Sequence, residues 1–431
     1  MIPLHGIASR EDLPLPFPLI VAAAAAVLIV TFWILLFAWR EPRFRERQGR
    51  EMPILTRFVD SPWFSRPLRL VVGVLWLLAA VALAFGPDRV DNPIFGFVFV
   101  WPWVGLVPLA LLFGEVYRRT NPIRLLLRMT GATAPAPVPA ATANTRSRLP
   151  AAAALLAFAW YELVEPSAAT LPVLRGAAAA WLAWVIVGVF ATSAKWIARA
   201  DPFEAFASTL AKFSPWSRSA SGRLLLINPL RNLASWRPPR HLWLLACVLL
   251  GSTLFDAIAG SAWWVRAFQD SSIPPRIVGT VGLIATVAVI AGLYLLSVLP
   301  LRRHGRTLTQ VADELAPGLV PLVAGYFLAH YATMLYLEGQ RTAIRMSDPL
   351  ALGWDWFGIA EAGPNLALLG LPTLIAFAQV FFIVAGHVSA ALVSHDIALR
   401  NVEPDAAMRR QMPLLVLMVL LTIVGMVLMF G

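Results

Sequence analysis

The chain has 431 residues, of which 59% are hydrophobic and only 14% charged, with a mean hydropathy of +0.71. Soluble domains run nearer about 45–50% apolar and about 25% charged, so a large soluble domain is excluded and a polytopic membrane protein is implied. The net charge of +11 does not argue for nucleic acid, because the arginines fall in short loops between apolar runs; a single cysteine, Cys247, excludes intrachain disulfides and cysteine metal clusters.

Runs of about 20 apolar residues are read as membrane spans. Ten are expected, near 17–39, 69–86, 94–117, 150–165, 172–194, 242–262, 277–300, 317–337, 366–396 and 412–430. The first is stopped by the basic stretch 40–50. The fourth is short and carries Glu162 and Glu165. The start of the chain is acidic ahead of its apolar run, with the basic residues beyond it, so no cleavable signal peptide is expected. The prediction is an all-α fold: one integral membrane domain built as a polytopic transmembrane helix bundle.

Orientation follows from the basic residues. Loops 40–69, 118–149, 195–240, 301–307 and 397–411 hold 28 of the 35 lysines and arginines. The positive-inside rule puts these loops in the cytoplasm and both termini outside, provided all ten spans are real. Residues 131–150 are rich in Pro and Ala and are expected to form a flexible cytoplasmic loop.

Three stretches on the arginine-rich side carry helix-start signals. Asn121-Pro122 and Asn228-Pro229 place an N-cap before a proline at the first helical position, which would turn Arg124 and Arg231 toward lipid headgroups. Asp201-Pro202-Phe203-Glu204 resembles a capping box. Phe203, Phe206, Leu210 and Phe213 follow at helical spacing, so a short amphipathic helix lying on the inner surface is expected.

The segment 317–398 holds three of the six histidines, His330, His387 and His395. Ionisable groups at lipid depth are costly and usually face a bundle interior or a wet cavity. At about 1.5 Å per helical residue, Glu162 lies roughly 6 Å, Asp256 about 9 Å and His330 about 12 Å below the outer ends of their spans. Three spans thus bring an ionisable group to the outer third, where His5, Glu165, Gln340, Asp355 and Asn365 are available neighbours.

One histidine with two or three carboxylates suits a divalent metal such as zinc, with His330, Glu162, Asp256 and His5 as ligands and an open position for water. The same set suits a proton-linked transport site, or a hydrogen-bonded network that pins three helices. His387 and His395, eight residues apart, belong to the inner half. Haem ligation there would need a second histidine at the same depth on another helix, and a satisfied core histidine is the plainer reading. Most of the 17 tryptophans cluster near span ends as an aromatic belt. Phosphate-loop, nucleophile-elbow, HExxH, CxxC and GxGxxG patterns are absent from the sequence.

Several segments together resemble a family of bacterial multi-span membrane proteins labelled fenitrothion hydrolase. They are His5-Gly6 with Asp12-Leu13-Pro14, WPWVGLVPLALLFGEVYRRTNPIR (101–124), WYELVEP (160–166), DPFEAF (201–206), GSTLFD (251–256), His330-Tyr331, GWDWFG (353–358) and QVFFIVAGHVSAALVSHDIAL (379–399). In that family the His-Gly pair follows a cleaved leader, which is not expected ahead of His5 here. The resemblance implies a bacterial inner-membrane protein that hydrolyses an organophosphate triester or related ester. The family offers no catalytic residues to carry over, so the catalytic candidates remain His330, Glu162 and Asp256. Triester hydrolysis needs a water activated by a metal or a general base, and an outer-leaflet site suits an apolar small-molecule substrate arriving from lipid. The alternatives are a transporter or metal-handling permease, and a structural or assembly protein that works with a membrane partner subunit.

Overall fold

The computed structural model describes residues 15–131, 147–269, 272–400, 402 and 404–430. His5 and most of the 131–150 loop lie outside them. In chain order the helices that matter here are α1 (Phe17–Ala38), α2 (Pro62–Phe85), α3 (Pro93–Phe99), α4 (Leu106–Phe113), α5 (Leu149–Leu163) and α6 (Leu171–Ala191). They continue with α7 (Pro202–Leu210), α8 (Leu242–Ala259), α9 (Pro275–Val298), α10 (Leu319–Arg345), α11 (Pro372–Leu399) and α12 (Pro404–Phe430).

Among the described residues, eight helices are long and apolar enough to cross a membrane: α1, α2, α6, α8, α9, α10, α11 and α12. Each coincides with an expected span, and the chain is an all-α bundle. The two remaining expected spans differ in form. The 94–117 run is not one helix: α3 stops at Phe99, a turn holds Pro102 and Gly105, and α4 resumes at Leu106. Proline removes an intrahelical bond and glycine adds backbone freedom, which explains the break. The 150–165 run is α5, a helix of 15 residues.

The proline-start signals hold. Asn121 accepts from the N–H groups of Ile123 and Arg124, Asn228 from those of Leu230 and Arg231, and Asp201 from that of Phe203. Two surface expectations do not hold. α7 is not an inner-surface helix: Phe206 is fully buried, eight of its nine residues are buried, and Phe206 packs against Trp103 and Phe327. Its second face is built of Ala205, Ala207 and Thr209, small enough to pack closely, and a helix without a charged outer face belongs inside. Arg124 does not turn to headgroups. It grips Glu204 with two hydrogen bonds of 2.6 Å, so Glu204 leaves the capping box, and Asn121 bridges Asp201 (2.6 Å) and Glu204 (3.2 Å).

A small antiparallel sheet of β1 (Arg50–Glu51), β2 (Trp216–Arg218) and β3 (Leu224–Leu226), in the order β1-β3-β2, ties the loop after α1 to the loop after α7. The core centres on α10, which is buried along most of its length and packs most extensively on α11. The two approach at Gly325 and Gly386. A Cβ on Gly325 would lie 2.4 Å from the Phe382 carbonyl oxygen, and one on Gly386 would lie 2.7 Å from that of Pro321. Small residues let membrane helices come this close.

Candidate functional site

α8 packs against both α5 and α10, which sets Asp256 between the helices that carry Glu162 and His330. Asp256 sits in the last turn of α8. Its Oδ2 accepts the Tyr331 hydroxyl at 2.8 Å and lies 3.1 Å from His330 Nε2. His330 is 4% exposed and Tyr331 is 2% exposed. The Tyr326 ring lies nearly parallel to His330, with centroids 5.8 Å apart, and the Tyr331 ring meets it edge-on at 4.5 Å. Residues 326, 330 and 331 are thus brought together by one turn of α10, as side chains four apart on a helix must be.

Glu162 comes near without joining. It lies within the electrostatic reach of Asp256 and Tyr331, and its buried Oε2 has no hydrogen-bond partner among the described residues. Asp256 and His330, expected together, are in contact. Among the described residues no group of three His, Cys, Asp or Glu side chains is arranged to hold a metal ion. His5, the remaining expected ligand, lies outside those residues.

The outer neighbours are engaged elsewhere. Glu165 pairs with Arg276 at 2.8 Å. Asp355 accepts from the Ser347 hydroxyl and the N–H groups of Ile359 and Ala360, bonds that hold its carboxyl below the usual range, the Ser347 bond most of all. Gln340 accepts from the N–H of Asn365 at 2.9 Å. These three residues organise the loop side of the bundle rather than the cluster beneath it.

Further polar atoms are buried along α10 and α11. Tyr326 Oη, Thr333 Oγ1, both amide atoms of Gln379 and His387 Nε2 have no hydrogen-bond partner among the described residues. By the Gly325–Gly386 crossing, Gln379 stands level with the His330 turn and His387 with the Pro321 turn. Buried groups of this kind normally bond to ordered water or a bound solute.

At the far end, His395 and Asp396 are structural. His395 donates from Nε2 to the Trp39 carbonyl oxygen at 2.9 Å and meets the Gln411 amide through Nδ1 at 3.1 Å. Both ring nitrogens are occupied, as the satisfied-core reading expects. Asp396 is fully buried and accepts from Trp39 Nε1, the N–H groups of Arg43 and Phe44, and Arg400 Nη2. His387 donates from Nδ1 to the Ile383 carbonyl oxygen, leaving Nε2 inside the bundle.

Reasoning on ionisable groups alone missed Tyr331, Tyr326 and Gln379. The signal was there: a tyrosine or glutamine within a span-length apolar run is as exceptional as a histidine. Compared with known proteins, the chain matches no family model, no curated protein and no solved structure.

Proposed function

We propose that the chain is a multi-pass transporter in which proton exchange at the Asp256–His330–Tyr331 cluster is coupled to movement of a small solute or ion. The observation that carries this reading is the buried contact of Asp256 with His330 and Tyr331, with further buried polar atoms of Tyr326, Gln379 and His387 that have no partner among the described residues on the packed α10–α11 pair, inside a bundle whose outer faces are apolar. A proton gained or lost by a buried Asp–His pair changes the pair's net charge by one unit. In a low-dielectric interior that change is large enough to favour one helix arrangement over another. The broken α3–α4 segment beside the buried α7 fits the same reading, since transporter sites commonly use discontinuous helices. Ten crossings, with the α3–α4 pair and α5 completing the eight long helices, both termini outside and a bacterial inner membrane as the location, belong to this proposal.

The Asp256–His330 hydrogen bond also favours a second reading, since it is the arrangement of a general base and its orienting carboxylate. In that reading, His330 takes a proton from a water whose oxygen attacks the phosphorus of an apolar triester, one ester P–O bond breaks and the alcohol or phenol leaves with that proton, in keeping with the fenitrothion hydrolase resemblance. Its zinc-assisted form depends on His5.

Proteoliposomes loaded with a pH-sensitive dye separate the two. Under an imposed proton gradient, a panel of divalent cations and small organic acids should contain a solute whose uptake acidifies or alkalinises the lumen, and Asp256→Asn should abolish that uptake. Triester hydrolysis lost in His330→Ala, with no coupled uptake by the unmodified protein, would overturn transport in favour of the hydrolase. Absence of both activities would leave a structural or assembly role.

A further inference from the structure

On the arginine-rich side, a cavity of about 210 Å³ opens between the start of α2, the end of α4 and the small sheet. Five cations line it, Arg47, Arg69, Arg119, Lys212 and Arg218, against one lining carboxylate, Glu115. The cations divide into two kinds. Asp60 holds Arg119 at 2.7 Å and grips Arg218 with two bonds of 2.7 and 2.8 Å, while Glu115 holds Lys212. Arg47 and Arg69 have no carboxylate within ion-pair distance among the described residues, and the buried Arg69 Nε lacks any hydrogen-bond partner there. The pocket is therefore fixed in shape by its paired cations and carries an excess of positive charge, with Arg47 and Arg69 outside any ion pair among the described residues.

Its walls point to the ligand's other half. Leu68, Phe64 and Phe113 line the same cavity, and the helix that supplies Leu68 continues with Leu70, Val71, Val74 and Leu77, all exposed on the apolar side of the bundle. Trp216 is pinned at the floor by donation to the Leu112 carbonyl oxygen at 2.8 Å. It fits there because Gly114, at φ +71, ends α4 in a conformation other residues rarely adopt. We propose that this cavity seats the phosphate of an anionic phospholipid headgroup, with the acyl chains running along the exposed face of α2. Basic pockets beside membrane helices recognise phosphate headgroups through this combination. The volume agrees: drug-sized ligands need roughly 300–1,000 Å³, so a headgroup fits here and a whole metabolite of that size does not.

The test is native mass spectrometry of the full chain in neutral detergent, titrated separately with phosphatidylglycerol, phosphatidylcholine and glycerol phosphate. Phosphatidylglycerol should be retained in preference to phosphatidylcholine. Its affinity should fall roughly fivefold in each of Arg47→Gln and Arg69→Gln, about the effect of one basic residue at a membrane surface, and stay unchanged in the exposed control Arg237→Gln. Thermal unfolding of each variant, with Arg47 on an exposed loop as the safer substitution, separates lost binding from lost fold. Equal retention of the two lipids, or an equal fall in the Arg237→Gln control, would overturn the proposal. Saturation by glycerol phosphate at the same concentration as lipid would also overturn it, by showing a site for soluble phosphate.

Discussion

One carboxylate oxygen, Asp256 Oδ2, joins two helices by meeting His330 and Tyr331 of α10 from the last turn of α8. A hydrogen bond to a charged group contributes roughly 1.5–3 kcal/mol when its partner is otherwise buried. Tyr331→Phe is therefore expected to lower the unfolding temperature in detergent, and an unchanged midpoint would show that the hydroxyl is not bonded to Asp256. A second buried carboxyl makes a pH prediction. Burial, with the Glu204 charge beside it, pushes the Asp201 carboxyl up to about 7. The folded state then binds more protons than the unfolded chain, so Asp201 favours folding at low pH, and that contribution is lost as pH rises from about 4 through 7. Asp201→Asn removes the titration while keeping an acceptor for the Phe203 N–H. Its unfolding temperature relative to the native chain should climb between pH 5 and pH 8 (roughly the window of the shift), and a constant difference would contradict the assignment. That Asp256 and His330 lie level with each other was legible in the sequence because the helical rise is fixed. The direction each side chain takes around its helix was not, which is why Glu162 shares their neighbourhood but no hydrogen bond with them.

At the scale of elements, the long helices could be read because span-length apolar runs have one structural solution in lipid. The broken α3–α4 run could not be separated from a continuous span by hydropathy, and only Pro102 and Gly105 marked it. The spacing of Phe203, Phe206 and Leu210 marks one apolar face of α7 but does not show that Ala205, Ala207 and Thr209 on its other side are buried as well. The α10–α11 contact gives a paired prediction. Gly386→Ala forces a Cβ to 2.7 Å from the Pro321 carbonyl oxygen, whereas Gly176→Ala in α6 meets nothing within 4 Å. Overpacking costs typically about 1–3 kcal/mol, so Gly386→Ala should unfold at lower temperature and Gly176→Ala should not. Equal midpoints would mean that the two helices can part without loss. The end of α1 is tied to α11 by Asp396 in the same way. Asp396→Ala leaves the part-buried Arg43 and buried Phe44 N–H groups without their acceptor and the Arg400 guanidinium without its carboxylate. Breaking such a pair costs about 3–5 kcal/mol, and the loop after α1 should become sensitive to protease; unaltered digestion would contradict the tie.

Across the whole molecule, the apolar surface faces outward, the arginine-rich loops gather on one side with the sheet and its basic cavity, and α10 and α11 bury polar groups of Tyr326, Gln379 and His387 between the Asp256 cluster and the other end of the pair. Composition and charge placement foretold the first two features. The third needs the register of α10 against α11, which no single run of sequence contains. The account turns on the Asp256 cluster carrying protons. The most direct measurement is luminal pH in dye-loaded proteoliposomes under a potassium–valinomycin potential, with the transported solute present, for the native chain and for Asp256→Asn. The account predicts potential-driven, solute-dependent proton movement by the native chain and none above protein-free vesicles by Asp256→Asn. Equal proton movement in both would contradict it.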